Sequence, residues 1–404
     1  MFSKIIVSFK DGSFFKKVYN KFKLMIFGII RKCFESKINI KNDKIMFLTF
    51  QGSYNCNPKA VADEIIRQKL PYELVWVVKK DDLKNIKQYP KELKLVRKNT
   101  LKLYKEAASC KVFVENANNF EYLKMHKKEG QYILQPWHGA MGFKRLDPGS
   151  VKNENWVKKA MELDKITDYC IVNSDFEIDV FRSSYWPTTE MLKYGHPRND
   201  ILFNKNGEFE KYSKKVRERY NIDDDVKIAM YAPTYRDDAS LDSYNLDFGK
   251  LHEALVKRFG GKWCILLRMH YKIRNMDLPK NLVDKVVNVT DYPDMQELLC
   301  VCDFGITDYS SWMCDYVLTR KPGFLYTSDI EKYVDERGFY YPLESTPFPV
   351  CKTNEELYEA IISFDENKYL LGVDKFLKDR GSYEEGDASK KVVEKIKEIT
   401  GYKE

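Results

Sequence analysis

Short segments that are almost wholly apolar recur along this chain, and each gives way to a polar loop and then a helix. Ile45 to Phe50 is the first, followed by the loop Gln51-Gly52-Ser53-Tyr54-Asn55-Cys56-Asn57-Pro58 and a helical stretch from Lys59 to Gln68. Tyr72 to Val78, Leu93 to Val96, Lys111 to Glu115, Gln131 to Pro136 and Asp168 to Asn173 continue the series, with a helix from Thr100 to Ser109. A strand that is apolar on both faces must be covered on both. The alternation therefore predicts parallel sheets with helices on either side. From Asn204 to Asp225 the character changes: Lys, Glu, Asp and Asn dominate around one amphipathic piece, Tyr212 to Tyr220. Residues 205–225 read as a linker. The rhythm then restarts with strand Lys227 to Tyr231, helix Leu246 to Phe259, strands Trp263 to Arg268 and Val286 to Val289, and helix Met295 to Cys300. The expected fold is α/β, with Rossmann-like lobes over 44–204 and 226–385 and a cleft between them. A last helix (Ser389 to Ile399, within 386–404) is expected to pack back on the first lobe. A chain of 404 residues is long enough for two such cores.

One later stretch combines strand, polar turn and helix most compactly. Phe304 to Ile306 is a strand that stops on Thr307, Asp308, Ser310 and Ser311; an apolar-rich helix follows, and Lys321-Pro322 breaks the chain before a strand from Gly323 to Tyr326. The first N–H groups of a helix lack partners and the dipole is positive there, so small hydroxyl residues at such a start suit an anion. The same residues serve equally as a plain helix cap.

The net charge of +8 fits an anionic substrate, an anionic membrane face or nucleic acid. No strand face combines aromatic and basic residues, which disfavours nucleic acid. In residues 1–43, Phe15, Val18, Tyr19, Phe22, Ile26, Ile29, Ile30 and Cys33 recur at helical spacing among Lys16, Lys17, Lys21, Lys23, Arg31 and Lys32. A basic amphipathic helix of this kind suits an anionic membrane surface; packing on the protein's own core is the alternative. No apolar run approaches the roughly 20 residues of a membrane span. The apolar run Leu24 to Ile30 is followed by Arg31-Lys32 and not by a signal-peptide cleavage site. The nine cysteines form no CxxC pair, and Cys300-Val301-Cys302 lacks the second half of a zinc site. Scattered cysteines inside strands and helices fit a reducing cytoplasm. No metal site and no cofactor are expected. There is no Walker loop, no GxGxxG and no GxSxG elbow.

In open parallel sheets ligands bind beyond the carboxyl ends of strands, so polar groups just after strands are the candidates. His138, in Trp137-His138-Gly139, is one of only five histidines, and a neutral imidazole is a competent general base. Arg198, in Gly195-His196-Pro197-Arg198-Asn199-Asp200, can bind phosphate. Arg236, in Tyr231-Ala232-Pro233-Thr234-Tyr235-Arg236, can reach the cleft. Arg268 and His270 would share one side of an extended chain and suit a pyrophosphate. The competing readings are, in turn, a buried histidine holding a turn, a structural turn capped by Asp200, a plain surface loop and a salt-bridged strand end.

Together these motifs resemble the CDP-glycerol:poly(glycerophosphate) glycerophosphotransferase family. The pieces are Trp137-His138-Gly139 with Lys144, the 195–200 and 231–236 segments, Arg268-Met269-His270, Ile306-Thr307-Asp308-Tyr309-Ser310-Ser311 with Asp315, and Arg337-Gly338-Phe339-Tyr340. The resemblance covers roughly 44–400. It implies a GT-B fold on the inner face of the cell membrane, with a first lobe for acceptor and a second for donor. The implied reaction moves a polyol phosphate from CDP-glycerol or CDP-ribitol to a polyprenyl-diphosphate-linked acceptor, releasing CMP, in teichoic acid or capsule synthesis. It implies His138 as base and His270 on the donor phosphates, aided by Arg268, Thr307, Asp308, Ser310, Ser311, Arg236 and Arg198. Gly139, Lys144, Ser53 and Asn55 fall on the acceptor side. Ala140 and Tyr271 depart from the family's usual Thr and Pro, which bears on donor or acceptor choice. The absence of a long N-terminal extension points to a primase-like or compact capsule enzyme. A GT-B glycosyltransferase using a nucleotide sugar would share the fold and cleft but release a nucleoside diphosphate. A non-catalytic membrane-bound module would tolerate loss of His138.

Overall fold

The computed structural model describes residues 26, 28–117, 119, 120, 123, 125–139, 142–150, 154–236, 245–270 and 286–403. Most of the basic N-terminal segment, Ala140 and Tyr271 lie outside the described residues. Residues 28–37 are helical, and Ile29 is 63% exposed. This helix leans on the first lobe: Glu35 accepts from the His126 backbone N–H at 3.1 Å, and Lys128 Nζ donates to the Ile38 carbonyl at 2.6 Å.

The first sheet contains β1 (Lys41–Leu48), β2 (Glu73–Val78), β3 (Leu93–Arg97), β4 (Cys110–Glu115), β5 (Tyr132–Gln135), β6 (Tyr169–Val172) and β7 (Glu190–Lys193). All pair in parallel, in the order β3-β2-β1-β4-β5-β6-β7. The second contains β8 (Val226–Tyr231), β9 (Lys262–Leu267), β10 (Val287–Asn288), β11 (Phe304–Thr307), β12 (Gly323–Tyr326) and β13 (Val350–Cys351), in the order β10-β9-β8-β11-β12-β13, again parallel. In each sheet the chain winds outward from one central strand, then returns to its other side. The winding reverses between β1 and β4 in the first lobe and between β8 and β11 in the second. Crevices at such reversals are where ligands of doubly wound sheets bind.

Close packing sharpens the second reversal. A Cβ on Gly305, in β11, would stand 2.8 Å from the Tyr316 ring, and one on Gly323, in β12, 2.8 Å from Met313 Sδ. These glycines let the helix Trp312–Tyr316 lie directly on the strands. That helix is only five residues long and passes into a tighter turn, Val317–Thr319, ended by Arg320 at φ +61°.

Two segments differ from the expected layout. Within the stretch read as a linker, Glu208–Tyr220 is a helix whose Tyr212 and Val216 are buried in the second lobe's core. Phe50 does not extend β1; it begins a turn, Phe50–Gly52. At the carboxyl end, helix Ala388–Thr400 packs Val392, Val393 and Ile396 among the first lobe's Val61, Ala62 and Ile65. Burying each such side chain contributes about 1.5–3 kcal/mol. Asp200 fixes the start of this helix by accepting the Ala388 and Ser389 N–H groups, both at 2.8 Å. Among the described residues no helix is long and apolar enough to cross a membrane.

Candidate active site

The first lobe's reversal is organised by Asn116, which follows β4. Its Oδ1 accepts the Phe50 N–H at 2.9 Å, and its carbonyl accepts from His138 Nδ1 at 2.5 Å. A carbonyl can only accept, so Nδ1 carries the proton and Nε2 holds the lone pair. The Phe50 ring stacks on the imidazole at 5.6 Å, and Trp137 flanks it at 4.3 Å. His138 is exposed at the cleft, though the Phe50 and Trp137 rings and the atoms around them crowd its imidazole. That loss of hydration, joined by Arg198 and His196, pulls its pKa down to about 4. The ring is therefore neutral at pH 7.

The loop carrying His138 is held under tension. Trp137 has φ +49°, a region bulky side chains rarely enter without support. Asn57, fully buried, supplies that support by donating to the Pro136 carbonyl at 2.8 Å and the Trp137 carbonyl at 2.9 Å. Gln135 Oε1 accepts the Trp137 N–H at 3.0 Å. The indole packs edge-on against Trp186 and Phe181.

In the second lobe the groups after β8 and β11 bind one another. Thr307 Oγ1 donates to the Ala232 carbonyl at 2.8 Å, as does Trp312 Nε1 at 2.9 Å. Asp308 accepts the Thr234 N–H at 2.8 Å and pairs with Arg236 Nη2 at 2.8 Å. Arg236 also grips Asp329 through two bonds of 2.7 and 2.9 Å and lies over the Tyr309 and Tyr333 rings. Thr307, Asp308 and Arg236, expected on donor phosphate, are buried in this lattice. Ser310 and Ser311 are half-buried at its edge, and the Ser311 side chain does not cap the helix.

Arg268 and His270 part company because β9 ends at Leu267. Arg268 Nη1 donates to the carbonyls of Tyr292 at 2.8 Å and Val289 at 3.3 Å, and burial lowers its pKa from the usual arginine value. His270 lies beside the Tyr235 ring at 5.0 Å.

Several candidates join the lobes. Lys144 Nζ reaches Thr234 Oγ1 across the cleft at 3.4 Å and sits 5.4 Å above the Tyr333 ring. Its backbone bridges to Phe339, so Gly338-Phe339-Tyr340 docks on the first lobe. Asn55 donates to the Pro293 carbonyl at 3.0 Å, beside Lys59, which pairs with Asp294 at 2.6 Å and Glu297 at 2.8 Å. Ser53 is half-buried, with its carbonyl accepting from Thr49 Oγ1. Arg198, expected on phosphate, is buried and paired. Its guanidinium pairs with Asp315 at 3.0 Å and donates to the Gly139 carbonyl at 2.5 Å. Sequence reasoning missed Asn57, Asn116 and Asp329. Only the Asx-rich loop before Pro58 hinted at the first.

The family model for CDP-glycerol:poly(glycerophosphate) glycerophosphotransferases matches residues 30–398. The chain belongs to this family. It is 33% identical over 368 residues to the teichoic acid poly(glycerol phosphate) polymerase of Staphylococcus epidermidis, covering 87% of this chain but only 50% of that one. It is 31% identical over 393 residues to the teichoic acid glycerol-phosphate transferase of Staphylococcus aureus, covering 94% and 96% of the two. The wall teichoic acid polymerase TagF, in a histidine variant soaked with CDPG, superposes with a TM-score of 0.81 at 28% identity over 96% of this chain and 98% of that one. The fold is accordingly GT-B-like, with two parallel-sheet lobes. Among the described residues no group of three or more His, Cys, Asp or Glu side chains is placed to hold a metal ion.

Proposed function

We propose that the protein transfers glycerol phosphate from CDP-glycerol to a lipid-linked acceptor of teichoic acid synthesis, releasing CMP. The observation that carries this reading is the tautomer of His138. At the first sheet's reversal, its Nδ1–H is fixed on the Asn116 carbonyl and its Nε2 lone pair is available to a hydroxyl. The acceptor oxygen attacks the phosphorus that bears glycerol, and Nε2 takes its proton. A P–O bond forms to the acceptor while the P–O bond to CMP breaks, and CMP leaves with the electron pair. His270 and the Ser310/Ser311 turn meet the charge on the departing phosphate, which is the main task in phosphoryl transfer. Both relatives described above are named for glycerol phosphate, which supports glycerol as the polyol.

The test is CMP release by the purified protein from CDP-glycerol and CDP-ribitol, with and without a lipid-linked disaccharide. Acceptor-dependent CMP from CDP-glycerol is the expected result. CMP from neither donor, with nucleoside diphosphate released from a nucleotide sugar, would move the protein to the glycosyltransferases.

The site of action in this reading is the inner membrane face, reached through the basic segment 1–43. Exposed Ile29 on the described part of that segment supports it. Deleting residues 1–37, which leaves β1 whole, is expected to abolish binding to anionic vesicles and to leave CDP binding intact, as co-sedimentation and calorimetry would report. Unchanged vesicle binding would refute the anchor.

A further inference from the structure

The loop bearing His138 is braced at both of its flanks, and the second brace is tied to the opposite lobe. Upstream, Asn57 holds the carbonyls of Pro136 and Trp137. Downstream, Arg198 Nη2 holds the carbonyl of Gly139. The two braces are joined, because the Arg198 backbone N–H donates to Asn57 Oδ1 at 3.0 Å. Arg198 belongs to the first lobe, but its counter-ion does not. Asp315 lies on the helix Trp312–Tyr316, at the second sheet's reversal. It meets Arg198 Nη2 at 3.0 and 3.2 Å, accepts from Asn199 Nδ2 at 2.9 Å, and is held from its own lobe by Gln296 Nε2 at 3.1 Å. Arg198, Asn199 and Asp315 are all at least nine-tenths buried.

We infer that Asp315 and Arg198 are positioning residues: the ion pair between the lobes holds the Gly139 carbonyl, and so fixes His138 only when the two reversals are together. A guanidinium deprived of its carboxylate is an uncompensated buried charge that is driven to swing out towards water, so loss of Asp315 frees the Gly139 carbonyl. Trp137, at a positive φ, then relaxes and carries the imidazole with it. The His138 Nδ1 bond to Asn116 is the geometry that would be lost first. This coupling makes base geometry depend on lobe closure, a useful arrangement for an enzyme that must protect an activated phosphate from water.

The inference rests on the proposed role of His138, but half of its test does not require that role. The variant is Asp315→Asn in the full-length protein. With CDP-glycerol and acceptor, kcat is expected to fall about 100-fold, the scale of a misplaced catalytic group, while the donor KM moves by about twofold or less. In 15N-histidine spectra at neutral pH, with the His138 signals identified by their loss in His138→Ala, the wild type is expected to hold the Nδ1–H tautomer. Asp315→Asn is expected to populate the Nε2–H form. If Asp315→Asn does not fold, Gln296→Ala keeps both charges and removes one uncharged donor to the carboxylate; a smaller shift in the same two readouts is then expected. A folded variant with an unmoved tautomer and kcat within about threefold of wild type would overturn the inference. An inactive wild type would remove the functional reading, while the tautomer populations would still decide the brace.

Discussion

Replacing His138 with alanine is expected to lower kcat for glycerol-phosphate transfer by about 100- to 10,000-fold, the range set by general-base catalysis. The donor KM should change little, since in the proposed mechanism the residue acts on the acceptor hydroxyl. Its position supports so large an effect. Nδ1 is pinned by a backbone carbonyl, Phe50 and Trp137 restrict the ring, and Nε2 is left to take a proton. The same surroundings make a pH prediction. With its pKa pulled down to about 4 by loss of hydration, Arg198 and His196, the imidazole is the neutral base throughout pH 5–8. The acid limb of kcat/KM, which reports the free enzyme, should therefore lie near pH 4 and well below an ordinary histidine. Bound CDP-glycerol brings two negative phosphates towards the imidazole and favours its protonated form. The acid limb of kcat is thus expected at a higher pH than that of kcat/KM. Near-normal turnover in a folded His138→Ala protein would take His138 out of the mechanism. Coincident limbs near pH 6.5 would show that neither burial nor donor acts on it.

The alternation of apolar segments and helices was enough to read two parallel-sheet lobes, because a strand buried on both faces carries its environment in its own composition. Site residues were legible only in part, and the pattern of success is physical. His138 and the Ser310/Ser311 turn stand where the sequence puts them, at the ends of strands, because position after a strand is a local property. What a charged side chain does there depends on partners that sequence does not bring near. Arg198 meets Asp315, 117 residues away, and Asp308 receives the Thr234 N–H from 74 residues away. In the structure the first, read as a phosphate ligand, is paired with a carboxylate, and the second, also read as a ligand, accepts a backbone N–H. Helix Glu208–Tyr220 was read as linker for a related reason. Only Tyr212 and Val216 are buried, a two-residue stripe within an otherwise polar stretch. The helix after β11, read as apolar-rich, is five residues long. Those residues are apolar because strands and helices surround them on all sides.

The second large effect is expected at His270. Changing it to alanine should lower kcat about 100-fold or more, the loss seen when a donor to developing charge is removed. The geometry distinguishes it from its neighbour. Arg268 is tied to the carbonyls of Val289 and Tyr292 and shapes the turn after β10, whereas His270 extends past the end of β9 beside Tyr235. Arg268→Lys should therefore act chiefly on stability, because a single ammonium cannot reproduce the spread of bonds a guanidinium makes. His270→Gln should recover part of the lost rate, since an amide N–H can still meet the leaving phosphate. The decisive measurement is a single-turnover rate of CMP release at saturating donor, which excludes effects on binding. A full rate in His270→Ala together with a large loss in folded Arg268→Lys would exchange their roles. It would place the leaving-group contact on the guanidinium and leave His270 as packing for Tyr235.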